Sequence, residues 1–310
     1  MTLSKLIIDF LEYCEVEKGH SQLTIRNYDH YLSRFLEFAG DIRLDKIDLE
    51  LIRRYRLYLN RLVDEKGKPL KKITQAYHLI ALRAFLKYLA KRDIKTLAAE
   101  KIELPDTESR NLIFLDIDEI ERLLSAPLKE KNKILRARDK AILETLFSTG
   151  LRVSELISLD RDKINLKRGE FSVRGKGDKI RVVFLSDEAK KALENYLALR
   201  TDNFKPLFIR HKKTKEKIED LSGENLRLTP RTIQRLIKKY STIAGIVKKV
   251  TPHTIRHSFA TDLLISGADI RSVQTMLGHA SITTTQVYTH VTNQQLREVH
   301  KAFHGRRRKK

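Results

Sequence analysis

The stretch from Thr251 to Tyr288 carries His253 and Arg256 three residues apart, His279 directly after Gly278, and Tyr288 nine residues beyond that histidine. Arginine neutralises non-bridging phosphate oxygens through a two-pronged hydrogen bond. Histidine exchanges a proton near neutral pH. A tyrosine hydroxyl, with a pKa of about 10, becomes a useful nucleophile only when a base or nearby cations activate it. Together these types fit an attack on a phosphodiester. Arginines that carry the transition-state charge make a metal unnecessary. The sequence also lacks a Walker-type GxxxxGK[ST] string, so no metal or nucleotide cofactor is expected.

Short helices must position these groups. Thr251 and Pro252 suit the cap and first position of a helix, which puts His253 in its first turn and Arg256 on the same face. Phe259, Leu263 and Leu264 supply the apolar stripe that buries this helix, and Gly267 suits its stop. A second helix is predicted from Asp269 to Leu277, closed by Gly278, with His279 just past its end. Ser281 can cap a third helix carrying Tyr288. His253 and His257, four residues apart, have metal-ligand spacing. No Glu follows His253, however, the lone cysteine is remote, and Arg256 would repel a dication. His257 therefore reads as a structural or supporting residue.

Two upstream strings add to the set. In TGLRVSELISL (149–159), Arg152 follows a glycine turn at the start of a short helix, where free backbone N–H groups favour an anion. Taken alone, such an arginine is more often an ordinary salt-bridge partner. Glu155 either orients Arg152 or a histidine, or is a helix-surface carboxylate. FSVRG (171–175) and KIRVVFL (179–185) alternate as strands around the turn GKGD, with Lys176 at its tip.

HTIRHSFAT (253–261), LISGAD (264–269), LGH (277–279) and TTQVYTHV (284–291), in this order and with TGLRVSEL upstream, resemble the tyrosine site-specific recombinases, especially the bacterial Xer group. The resemblance runs over nearly the whole chain. It implies a mainly α fold with a small antiparallel β-sheet: an N-terminal helical, SAM-like DNA-binding domain and an α+β catalytic domain. It implies that Tyr288 attacks DNA to form a 3′-phosphotyrosyl link. Arg152 and Arg256 would hold the phosphate with help from His279, His253 would take the tyrosine proton, and Lys176 would protonate the leaving 5′ oxygen. Lys179 is a substitute for that last role.

The rest of the chain agrees with two domains. At 310 residues with a formal charge of +22, a polyanion is the expected partner, nucleic acid ahead of membrane. Residues 1–95 read as four helices, over about 3–18, from Ser21, over 48–63 and over 71–92. Tyr28, Tyr31, Leu32, Phe35 and Phe38 share a stripe and read as core rather than base-stacking residues. The fourth helix is expected to bury Tyr77, Ile80, Ala84 and Tyr88 and to offer Arg83, Lys87 and Lys91 to phosphates. Residues 96–112 read as a linker and 113–310 as the catalytic domain. The lysine-rich segment 200–230 reads as a surface insertion. After Tyr288, Leu296, Val299 and Phe303 mark an amphipathic helix ahead of the basic tail GRRRKK (305–310). One cysteine, Cys14, no signal-peptide pattern and no membrane-span window point to a cytoplasmic protein.

The resemblance further implies a C-shaped clamp on double-stranded DNA at a recombination site. Four copies, of this chain or of this chain with a paralogous recombinase, would act on two duplexes, with an activator protein as a possible partner. Chromosome dimer resolution is the leading role and a phage or mobile-element integrase the runner-up. A type IB topoisomerase shares the chemistry but not the N-terminal helices. A DNA-binding architectural protein that does not cut is the reading from a different class.

Overall fold

The computed structural model describes residues 2–63, 67–105, 113–175, 179–211 and 220–278. The chain divides into two compact units, Met1–Arg110 and Asn111–Lys310.

The first unit holds α1 (Leu3–Val16), α2 (Gln22–Ala39), α3 (Leu49–Arg61) and α4 (Lys72–Lys91). Side-chain caps start two of them: Ser21 accepts the Thr24 N–H, and Asp48 accepts the Leu51 N–H at 2.7 Å. The core is aromatic. Phe10 meets Phe85 edge-on at 5.7 Å and Phe35 meets Tyr55 at 5.0 Å, while Tyr28, Tyr31 and Phe38 pack on the margin as expected of core residues. Ala99 and Ile102, inside the expected linker, are also buried in this core.

The buried face of α4 differs from the expected one. Tyr77 and Ile80 are 43% and 39% exposed and Ala84 is half-buried. The helix buries Leu79, Leu82, Phe85, Leu86 and Leu89 instead, and of the expected set only Tyr88 goes with them. The sequence of α4 is apolar around most of its circumference, so periodicity alone leaves the angle open. Packing against α2 selects the leucine and phenylalanine side. Tyr77 and Ile80 therefore share the outer surface with Arg83 and Lys87, whereas Ala84 packs at the margin of the core, and Lys87 pairs with Glu100 at 3.4 Å.

Beside that surface His78 is buried. Its Nδ1 lies 2.9 Å from the Thr74 carbonyl oxygen and its Nε2 3.3 Å from Arg34 Nη1. A neutral ring protonated on Nδ1 satisfies both contacts. Burial, partly offset by the Thr74 bond and reinforced by Arg34, holds its pKa below the usual histidine range.

The second unit begins with α5 (Ile117–Ser125). Its Asp116–Glu119 capping box is made, with reciprocal bonds of 2.9 and 3.0 Å. Then come α6 (Lys133–Thr149), α7 (Val153–Ile157), an antiparallel hairpin of β1 (Glu170–Arg174) and β2 (Ile180–Phe184), α8 (Asp187–Ala198), α9 (Pro230–Ile243), α10 (Pro252–Ile265) and α11 (Ile270–Leu277). In the hairpin Val173 pairs with Arg181 and Arg174 with Ile180. Buried Leu143, Leu146, Phe171, Val183, Leu193, Tyr196, Ile233 and Ile237 belong to one core. The fold is thus mainly helical with a small two-stranded antiparallel sheet among the described residues.

Segment 200–230 is not simply a surface insertion. Leu207, Phe208, Ile209, Leu226 and Leu228 are buried, and Arg210 N–H donates to the Leu226 carbonyl at 2.8 Å. The short apolar run PLFI (206–209) is masked in the sequence by its lysine-rich surroundings. Arg200 lies buried beneath, donating to the Pro206 and Leu207 carbonyls at 2.8 and 2.9 Å.

Candidate active site

Gly150 sets the geometry of the site. It ends α6 in the left-handed region, at φ 59°, so that the next two residues turn into α7. A Cβ there would stand 2.4 Å from Phe259 Cδ1 and 3.2 Å from Leu277 Cδ2. The glycine thus lets α6, α10 and α11 meet. Gly150→Ala combines about 1 kcal/mol for the positive φ with about 1–3 kcal/mol for overpacking. The expected result is a thermal midpoint lowered by several degrees, read by circular dichroism; an unchanged midpoint would mean that Phe259 yields freely.

Arg152 stands at the cap position of α7 and is held by Glu155. The carboxylate accepts the Arg152 backbone N–H at 2.8 Å and its Nη1 at 2.9 Å. The N–H of Arg152 is therefore engaged and not open to an anion. Glu155 is 5% exposed, so it is not a helix-surface carboxylate, and its oxygens hold the Arg152 backbone and guanidinium.

Arg256 projects from α10. Thr251 caps that helix, accepting the Thr254 N–H at 3.1 Å, and Pro252 takes its first position. The Arg256 guanidinium is buried. Its Nη1 donates to the Gly150 carbonyl and its Nη2 to the Leu277 carbonyl, each at 2.6 Å. Arg152 Nη2 reaches the next carbonyl, that of Gly278, at 3.4 Å. Helix C-termini leave carbonyls unpaired and carry partial negative charge, so two cations suit the end of α11. Gly278 closes α11 in the left-handed region, at φ 63°. Of the expected stripe on α10, Leu264 is fully buried, whereas Phe259 and Leu263 are half-buried.

His253 is exposed in the first turn of α10, near both arginines. Partial desolvation, then the charges of Arg256 and Arg152, hold its pKa below the usual range. His257 is pushed down to about 4 by burial, with His253 and Arg256 adding to the effect. Both rings are neutral at pH 7. The neutral His253 ring can accept a proton, and the same two positive charges that lower its pKa would favour an anion beside it.

Arg152, Glu155, His253 and Arg256 come together as the spacing anticipates. Lys176, His279 and Tyr288 lie outside the described residues; Lys179 is exposed beside the hairpin turn. One residue was missed. Arg181 on β2 forks onto Glu155, Nη1 to Oε1 at 2.9 Å and Nη2 to Oε2 at 2.8 Å, and its Nε donates to the Met276 carbonyl at 3.0 Å. The signal was an arginine at an inward position of the strand, where Val183 and Leu185 continue the apolar alternation.

The Phage integrase family matches residues 113–295, and the Phage integrase, N-terminal SAM-like domain, matches 7–93. The chain is 37% identical over 302 residues to the tyrosine recombinase XerC of Thermodesulfovibrio yellowstonii, covering 96% of this chain and 95% of that protein. It is 38% identical over 309 residues to the tyrosine recombinase XerD of Oceanobacillus iheyensis, covering 98% and 99%. Among solved structures, the XerH site-specific recombinase in a post-cleavage complex with its palindromic difH substrate matches with TM-score 0.70 and 25% identity, over 94% of this chain and 82% of that one. With full-length relatives at this identity and a family match over residues 113–295, the chain belongs to the phage integrase family, as a tyrosine recombinase of the Xer type.

Proposed function

We propose that this protein cuts and rejoins double-stranded DNA at a specific site through a 3′-phosphotyrosyl intermediate. The observation that carries the reading is the convergence of Arg152 and Arg256 on the carbonyls at the end of α11, one residue before His279, with His253 in the first turn of the helix that carries Arg256. Tyr288 attacks the scissile phosphorus and His253 takes its proton. Arg152 and Arg256, with His279, stabilise the charge on the non-bridging oxygens. The P–O5′ bond breaks, and Lys176 gives the leaving oxygen a proton. The phosphotyrosine conserves the free energy of the bond, so a 5′ hydroxyl of the partner strand reverses the step without ATP.

Assembly of several copies on two duplexes would draw on the second unit. A groove of about 710 Å³ is lined by Ile117, Leu124, Phe147, Phe184, Phe259 and Leu263, with Asp262 and Glu144 among its polar groups. The segment 292–304 carries Leu296, Val299 and Phe303 at helical spacing beside Arg297 and Lys301, a match in both polarity and charge. Seating this segment in the groove of a neighbouring copy would close a ring of four. Chromosome dimer resolution is the role that the Xer resemblance implies; the relatives at 37% and 38% identity are tyrosine recombinases of that group.

Covalent trapping tests the reading. The protein is incubated with nicked duplexes of candidate sites, and the adduct is resolved on a denaturing gel and mapped by peptide mass. An adduct on Tyr288 is the expected result. Tight binding with no adduct on any duplex, with partner recombinase present, would leave the non-cutting architectural reading in its place.

A further inference from the structure

We propose that Arg181 is a positioning residue for proton delivery to the leaving oxygen. It would anchor the β1–β2 hairpin so that Lys176, in the turn, reaches the scissile bond. The inference rests on Lys176 acting as the general acid.

A two-stranded hairpin has little stability of its own and takes its position from what its inner face packs against. Leu185, Val183 and Arg181 succeed one another on the inner side of β2, and Phe171 and Val173 on that of β1. Apolar contacts hold the half farther from the turn. At the half nearer the turn, the inward residue is a guanidinium whose exposure is 10%, paired across the ladder with buried Val173. Between it and the turn lie the Arg174–Ile180 pair and the Gly175 N–H bond to the Lys179 carbonyl, at 2.8 Å. Arg181 thus ties the half of the hairpin nearer the turn to Glu155 and to the Met276 carbonyl.

Its anchorage is directional. The fork onto Glu155 fixes the plane of the guanidinium, and the Nε bond to the Met276 carbonyl fixes its third edge. Gly278 lies so close that a Cβ on it would approach Arg181 Cδ to 3.0 Å. The carboxylate that receives the fork also receives the Arg152 backbone N–H and guanidinium, so all four of its lone-pair directions are used. The hairpin base and the phosphate-binding arginine are therefore registered on one carboxylate. An apolar residue at 181 would hold the strand against the core yet leave its angle, and so the reach of the turn, unfixed.

Cleavage moves an electron pair from the P–O5′ bond to O5′, which then takes a proton from Lys176. If sulfur replaces that bridging oxygen, the thiolate leaves without a proton and the need for the lysine disappears. The test uses a nicked duplex on which the wild-type chain forms its adduct, made with either oxygen or sulfur at the bridging position. Single-turnover rates are measured for wild type, Arg181→Lys, Arg181→Gln and Lys176→Ala. Circular dichroism and DNA affinity check that each variant folds and binds.

On the oxygen substrate, Arg181→Gln is expected to be slower on the order of 100-fold, the size of a general-acid contribution, and Arg181→Lys by less. On the sulfur substrate both are expected within about threefold of wild type, as is Lys176→Ala. If Lys176→Ala is rescued by sulfur and the Arg181 variants are equally slow on both substrates, the residue acts elsewhere and the inference is wrong. If Lys176→Ala is not rescued, or no duplex yields an adduct, the underlying reading falls and takes this one with it. Arg181 variants as fast as wild type on oxygen would also overturn it.

Discussion

Arg256→Ala is expected to form the covalent DNA adduct on the order of 1,000-fold more slowly than wild type, the loss typical of removing a donor aimed at developing negative charge in a dry site. The structure adds a second reason for a large effect. The guanidinium already bridges the carbonyls of Gly150 and Leu277, so it is held rigid before any phosphate arrives. Fixed donors need no reorganisation in the transition state, which is the source of their strength. Truncation also leaves two buried carbonyls short of a donor, at about 1–3 kcal/mol each, and frees the end of α11 from α6. Arg256→Lys keeps the charge but cannot span both carbonyls, and an intermediate loss is expected. Single-turnover trapping beside a DNA-affinity measurement separates the two effects. An Arg256→Ala rate within tenfold of wild type would remove this residue from the chemistry.

The second large effect concerns stability. Burial raises the Glu155 pKa, but the fork from Arg181, with the bonds from Arg152, more than offsets this and brings it to about 2. Its ordinary value is 4.5. The folded value lies below the unfolded one, so the carboxylate's stabilisation is full above about pH 4.5 and is lost as pH falls towards 2. A drop from 4.5 to about 2 corresponds to about 3 kcal/mol. Glu155→Gln is therefore expected to lower the unfolding free energy by about 3–5 kcal/mol at pH 7, because two guanidiniums lose a buried anionic partner. Urea titrations should give a difference from wild type that is flat from pH 7 to about 5 and narrows below about 4. A difference that does not vary with pH would show that packing, not charge, accounts for the loss.

The parts of the site legible in the sequence are the local ones. Gly150, Thr251 with Pro252, and Gly278 announce helix ends by residue type, and Arg152 and Arg256 inherit their places from those ends. The Asp116–Glu119 capping box is equally local, an aspartate three residues before a glutamate. What stayed hidden depends on contacts far apart in the chain. Arg181 meets Glu155 across 26 residues and Met276 across 95, and nothing in a strand's own alternation says which partner an inward arginine will find. The buried face of α4 was misjudged because both of its sides are apolar, so the partner helices decide. The run PLFI was overlooked since four apolar residues between charged stretches carry no period to read.

The aromatic core of the first unit gives the molecule an uneven optical signature. The chain has no tryptophan and ten tyrosines. Seven of these, Tyr13, Tyr28, Tyr31, Tyr55, Tyr58, Tyr77 and Tyr88, lie in the first unit. Intrinsic tyrosine emission therefore reports chiefly on that unit, whereas far-ultraviolet ellipticity is contributed by helices of both. Melts followed by the two signals weight the two units differently, and their divergence is a label-free measure of how independently the units unfold.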